Sequence, residues 1–581
     1  MDFISRMHSR RLIIRRIALG CVVWICAAMT VFSQVENVPA THPVYTFLKR
    51  MEVRGLIVQY HDAVLPLGRS EVASFLVHLQ SYSEKLSDAE RHLLRKYARE
   101  FQYDATGSTS GFHSLISSDE ATFGGALEQE LADREKFLFA ETDSMFSVFV
   151  NGLLTFDTRR GWTSTDRNET ATYIQFGVRA RSTIANHLGL YLQLTNAQFW
   201  GSRDLLQQDP VISQSFALGT LDAQNFDFVE GYARYQDGIV SAQIGRERVL
   251  WGTSYDQHMT LSENIRTFDF LRTDIQYKSF KYTFLHAWLL GKEKTFLPFV
   301  LPSDSAAVFY EPVVADKYFA SHRIEFSFPH VLDVGAQEMV VYSNRSPDLA
   351  FINPITAIES AQRAREERDN VMWLFDVQTH FIQNIEFQLT LFFDDLHLNE
   401  FFDDKWYNRY AYQAGVFYAN PFGIPNTNLI AEYTRIEPWV FAHNRSREND
   451  YGSGGEVLGP RIGPNADSWF LRADYDPTGN LALSLRVQLI RQGENEVDST
   501  GRLIRNVGGD ILQPHRDSDP LYKEFLDGIL IKTTRYEFRG TYEFIRQWWF
   551  DLQYMLEDTH NAAASNSNTF HTLIGRVRLE F

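Results

Sequence analysis

Leu573-Ile574-Gly575-Arg576-Val577-Arg578-Leu579-Glu580-Phe581 ends the chain, and this stretch decides the fold. Leu573, Gly575, Val577, Leu579 and Phe581 share one phase of a two-residue period. Side chains on a strand alternate between faces, so the pattern is a strand with one apolar face. An aromatic terminus in phase with that face is the usual close of a bacterial outer-membrane barrel.

The period recurs upstream. Leu481, Leu483, Leu485, Val487 and Leu489 oppose Ala482, Ser484, Arg486 and Gln488. Tyr536, Phe538, Gly540, Tyr542 and Phe544 oppose Arg535, Glu537, Arg539, Thr541 and Glu543. Leu188 to Leu194 and Ile385 to Leu391 read the same way. About eighteen such segments fill the chain from roughly residue 144 onward. Short links alternate with long ones, and the polar faces carry many charges. Tight turns at one end, long loops at the other and a wet lumen describe an antiparallel transmembrane β-barrel. The fold class expected is therefore all-β, with about eighteen strands. A soluble sandwich or propeller shares the alternation but not the charged inner faces or the terminal phase.

Composition agrees. The 581 residues carry a formal charge of −17, and 14% are aromatic. An acidic chain argues against nucleic acid as a partner, and the aromatic content argues against disorder. Arg6, Arg10, Arg11, Arg15 and Arg16 precede a largely apolar run from Ile17 to Phe32, the order of a secretory signal over residues 1–33. Its removal leaves 51 basic and 72 acidic side chains, a net −21, and takes both cysteines, Cys21 and Cys26. Disulfides, thiolate metal sites and thiol catalysis are then excluded.

Residues 34–140 differ from the rest and read as an N-terminal helical module with its connector; residues 141–581 form the barrel. Val44, Phe47, Leu48 and Met51 lie at helical spacing, with Gly55 as terminator. Ser70 is expected to cap a second helix, striped by Val72, Phe75, Leu76 and Leu79. Ser87 and Glu90 have capping-box spacing before Leu93, Leu94 and Tyr97. An even strand count puts both barrel ends on the short-turn side. The module, residues 40–103, is therefore expected in the periplasm, outside the barrel and available for periplasmic contacts.

No catalytic signature emerges. Gly107-Ser108-Thr109-Ser110-Gly111 has Thr where a nucleophile elbow needs Ser, and Gly452-Ser453-Gly454-Gly455 lacks the lysine of a phosphate loop. Asp394-Asp395 and Asp403-Asp404 read as solvated loop acids. No metal site, no cofactor and no enzymatic activity are expected. One segment stands apart, Ile244-Gly245-Arg246-Glu247-Arg248-Val249-Leu250-Trp251-Gly252, where a strand enters a long loop. Arg246 and Arg248 on one side, with Trp251 beyond, suit a carboxylate or a sugar ring. An internal Arg–Glu brace is the competing reading.

Ile244 to Asn264 resembles the Gly-Arg…Trp-Gly…Leu-Ser-x-Asn signature of the capsule-assembly Wzi family. Tyr45 to Ala73 and Asp348-Leu349-Ala350-Phe351-Ile352-Asn353-Pro354 resemble two further stretches of that family. The resemblance implies an eighteen-stranded outer-membrane barrel, lectin-like, that retains or organises capsular or other surface polysaccharide. Candidate polysaccharide contacts are Arg246, Arg248, Trp251, Trp439, Arg445 and Arg447. Expected partners are surface polysaccharide and outer-membrane lipids. A porin or sugar-uptake channel is the alternative, since a barrel this wide has room for a pore. A net charge near −21 opposes a polyanionic glycan at long range. Screening over about 8 Å limits that repulsion.

Overall fold

A computed structural model describes residues 34–116, 133–163, 167–215, 224–301, 304–364, 369–395, 400, 403–443, 447–564 and 566–581. The signal segment lies outside the described residues, as does Arg445. Among the described residues, eighteen long strands run from β1 (Phe146–Thr163) to β18 (Asn566–Glu580). Each pairs antiparallel with its neighbour in sequence, and β18 closes on β1 from Phe570↔Thr163 to Glu580↔Leu153. Closure satisfies the backbone polar groups that hydrocarbon cannot.

The phases fall as the alternation requires. Phe176 is 64% exposed and Leu485 51%, on the outer face with Leu192, Leu194, Phe538 and Phe544. The opposite phase turns charges inward. Arg179 pairs with Glu580 at 2.7 Å, and Asp157 takes both Arg159 and Arg576 at 2.7 Å. Phe581 exchanges backbone hydrogen bonds with Gly152 and sets its ring edge-on to Trp548, 5.5 Å away. The terminal aromatic therefore locks the seam.

Sixteen of the eighteen expected strand starts fall within about four residues of those observed. The largest departure is β8 (Asp304–Phe328), expected near roughly 318. Pro312 demotes that run as a strand by sequence. In the structure it pairs with Phe296 of β7 (Phe280–Leu301) in a hairpin that extends the ladder.

The helical module forms as expected, with one correction. Helix α1 (Val44–Val53) ends at Gly55, whose φ of +72° suits glycine. Helix α2 (Arg69–Gln80) starts at Gly68, not Ser70. Arg69 is buried and bidentate on Asp104, at 2.9 and 2.8 Å, which draws the helix start two residues back. Helix α3 (Asp88–Glu100) carries the Ser87–Glu90 capping box.

The module's position differs from the expectation. Its helices sit in the barrel's short-turn mouth instead of standing outside it. Arg50 on α1 reaches Asn428 and Asp476 on the wall, at 2.9 and 2.5 Å. Arg546 in the last short turn holds Glu100 and Glu135, at 3.1 and 2.8 Å. Beyond α1, Val64-Leu65 enters the lumen and pairs with Leu250-Trp251. Buried charges on the inner rim need partners, and the module supplies them.

The segment after β9 (Leu332–Ser343) is also not a free outer loop. Phe351 and Ile358 pack on Tyr318, Val340 and Tyr342, on the wall's outer phase. Glu338, on that outer phase, accepts from the backbone N–H groups of Ile358 and Glu359 at 2.9 and 2.7 Å. The covering segment thus satisfies a carboxylate that would otherwise face lipid.

Candidate functional site

Strand β5 (Val240–Glu247) ends in the Gly-Arg stretch singled out by sequence. Gly245 is required there. Its φ is +146°, and a Cβ would lie 2.3 Å from Gly231 O and 2.5 Å from Tyr232 Cα. The two arginines do not share a side. Arg246 lies on the outer phase with Ile244 and forms a bidentate pair with Asp269, at 2.9 and 2.8 Å. Arg248 donates to Gln214 Oε1 at 3.0 Å and Glu263 O at 3.2 Å. Residues two apart on a strand share a face only while the strand stays regular, and β5 stops at Glu247.

Trp251 has no exposed surface. Its backbone N–H donates to Leu261 O at 2.9 Å, and Gly252 N–H donates to Ala63 O at 2.8 Å. It belongs to a buried cluster with Met259, Leu261, Phe392, Phe441 and Tyr451. Trp439 is 2% exposed, and its backbone N–H donates to Gly508 O at 3.0 Å. Neither indole presents a face to a sugar, so both act as braces in this conformation. Arg447 begins a short turn, Arg447–Asn449, and its side chain lies outside the described residues.

The braces close the lumen. The segments 248–267, 437–443 and 447–465 fold inward from the long-loop end, and their apolar side chains fill the barrel against Leu285, Phe319, Val341 and Leu374. Gly452-Ser453 pairs with Glu456-Val457 in a small hairpin that contributes Val457 to this fill. Asp394 is buried and accepts from the N–H of Phe441 at 2.6 Å, so it latches the loop instead of standing in solvent. Asp256, on the first segment, is half-buried and accepts from Gln488 at 2.8 Å. Burial, with the Glu432 and Glu263 carboxylates nearby, pushes its pKa up to about 7.

The outer rim carries an aromatic array of which only Trp439 was a sequence candidate. Trp406 stacks on His515 with ring centres 4.0 Å apart and planes 4° from parallel. His515 sets its edge on Trp439, 5.2 Å away at 69°, and Tyr407 meets Trp406 edge-on at 5.8 Å. Burial lowers the pKa of His515, so the stacked ring is neutral imidazole. Tyr522, 61% exposed, bridges backbone to Lys405 beside Trp406. Arg516 holds Asp519 at 2.7 Å, and Lys405 holds Glu400 at 3.1 Å. The array joins loops more than a hundred residues apart in sequence. Its sole sequence signal is the Trp406-Tyr407 pair following Asp403-Asp404.

A closed β-wall with an apolar outer face and a filled, charge-lined interior defines an occluded outer-membrane barrel. The sequence matches the family described as Capsule assembly protein Wzi over residues 163–570, and the chain belongs to that family. Among solved structures it is similar to the Escherichia coli Wzi, described as an outer-membrane protein involved in group 1 capsule assembly and a carbohydrate-binding β-barrel. The TM-score is 0.54 at 12% identity, over 94% of this chain and 99% of that one. Two Pseudomonas aeruginosa structures are less similar. OpdK with vanillate has a TM-score of 0.42 at 10% identity, over 74% of this chain and 99% of that one. OprD has a TM-score of 0.39 at 9% identity, over 75% and 95%. No curated protein matches the sequence.

Proposed function

We propose that the protein binds surface polysaccharide at its long-loop rim and organises or retains it there, acting as a lectin and not as an enzyme or channel. One observation carries this reading: the lumen of a capsule-assembly family barrel is filled from both ends, which leaves the rim as the surface that meets ligand. The similar Escherichia coli structure, described as a carbohydrate-binding barrel, supports it. Trp406 and Tyr522 are the contacts we favour, with Arg516 beside them. Arg246 and Arg248 already have partners, which shifts the weight of recognition from guanidinium pairing to aromatic stacking. The rim carboxylates Asp519 and Glu400 are held by Arg516 and Lys405, an arrangement suited to orienting hydroxyl groups. In this reading the short-turn end and its module face the periplasm, and the outer belt contacts lipid.

Gene deletion should release polysaccharide into the medium without stopping its synthesis. Trp406→Ala should do the same while the barrel keeps its heat-modifiable migration. Normal retention in both strains, with large conductance from the purified barrel, would establish the channel instead.

A further inference from the structure

A second centre lies at the opposite end, where α1 meets the wall. Lys49 on α1 sits among three carboxylates: Glu52 Oε2 at 2.9 Å, Asp62 Oδ2 at 3.0 Å and Glu386 Oε1 at 2.8 Å. The ammonium uses only one oxygen of each. The free oxygens of Glu52 and Glu386 turn toward His380, in the turn between β10 (Asn370–Thr379) and β11 (Ile385–Asp395). His380 Nε2 lies 3.2 Å from Asp333 Oδ2 and 3.9 Å from Glu52 Oε1, and Nδ1 lies 3.6 Å from Glu386 Oε2.

The second observation is the state of these atoms. His380 is nine-tenths buried, yet neither ring nitrogen has a partner in hydrogen-bonding geometry. Glu386 is fully buried, and its Oε2 has no hydrogen bond either. A buried imidazole and a buried carboxylate oxygen left unsatisfied are costly. Four carboxylates, those of Glu52, Asp62, Asp333 and Glu386, surround one ammonium and one imidazole.

We propose that Glu52, Asp333 and His380 form a divalent-metal site that staples the helical module to the barrel wall. Ligand atoms of a tetrahedral zinc site, with bonds near 2.0–2.1 Å, stand about 3.3 Å apart. The candidate ligand atoms of Glu52, Asp333 and His380 all lie within 4.8 Å of one another. One imidazole with two carboxylates suits Zn²⁺ or a similar borderline ion. Glu386 then takes the role that metal-bound histidines commonly need. Its Oε2 stands 3.6 Å from Nδ1, and closing that gap on metal binding would fix the tautomer and direct Nε2 at the metal. The site borders a cleft lined by Gly55, Gln59, His330 and His380, which gives an access route and room for water as a fourth ligand. The three ligands come from α1, the start of β9 and a short turn, so one ion ties the module to two places on the wall.

The test uses the full chain purified in detergent, loaded with Zn²⁺ or Co²⁺ and dialysed. We expect about one Zn²⁺ per chain, removable by chelator, and a melting temperature that falls on removal. His380→Gln should weaken Zn²⁺ retention at least about tenfold while keeping heat-modifiable migration. His380→Cys should keep the metal and add a cobalt–thiolate absorption band that is absent from the parent protein carrying only Cys21 and Cys26. No stoichiometric metal in the native chain, or retention unchanged by His380→Gln, would overturn the site and leave His380 as a protonated partner of the carboxylates.

Discussion

The two ends of the barrel are closed by different physics. At the short-turn end, the N-terminal region and the wall exchange charges: Arg50 with Asp476, Lys49 with Glu386, and Arg546 with Glu100 and Glu135. At the long-loop end, the closure is mainly apolar, with Trp251, Met259, Phe441 and Tyr451 packed together and the buried pair Lys317–Asp450 beside them. Ion pairs specify position but return little net stability once desolvation is counted. Apolar burial returns stability and specifies position less. The difference suggests a seated, registered module below and a compact core above that carries the rim platform.

The largest expected effect breaks the apolar closure. Trp251→Ala removes a fully buried indole and should cost about 3–5 kcal/mol in unfolding measurements. Conductance of the purified barrel should rise. An unchanged melting profile would mean that the upper closure is not a core. Arg50→Met tests the lower end. It leaves Asp476 without its partner and should cost about 3 kcal/mol, with the module becoming protease-sensitive before the barrel does. An equally large loss of upper-loop protection in that variant would erase the distinction between the ends.

A smaller effect is pH-linked. Asp256 has a folded pKa near 7, raised from the ordinary carboxylate range, so its contribution to stability is complete at low pH and is lost as pH rises through about 7. Asp256→Asn should flatten the fall in stability between about pH 4 and 7. A slope identical to the native protein would place the titration elsewhere. Least of all, Arg246→Ala should cost under about 1 kcal/mol, because its pair with Asp269 is solvent-exposed. Polysaccharide retention should be unaffected. A strong loss of retention would return Arg246 to the binding surface.

Much of the wall was legible residue by residue. Leu485 and Leu489 face outward, and Arg486 faces the lumen, as the two-residue period required. Ser87 and Glu90 form their reciprocal cap because that motif is local. The candidate site was legible only as a region. The Gly245 stretch does enter a loop of structural consequence, yet Trp251 turns inward, and Arg246 and Arg248 part company where β5 stops. Asp394 read as a loop acid because nothing near it in sequence announces Phe441 as its partner. Trp406 and His515 meet only when two loops fold over the same rim.

Period, cap and charge are short-range properties, and the sequence by itself determined what depends on them: a barrel of about eighteen strands, its outer and inner faces, the helices Val44–Val53, Arg69–Gln80 and Asp88–Glu100, and the end from which its long loops rise. Tertiary structure alone decided what fills the lumen, which aromatics remain on the rim and where the module sits. Each of these turns on contacts between segments far apart in the chain. Val64 meets Trp251 and Glu52 meets His380 because closure of the wall brings them together, and no local pattern encodes a distance across a lumen.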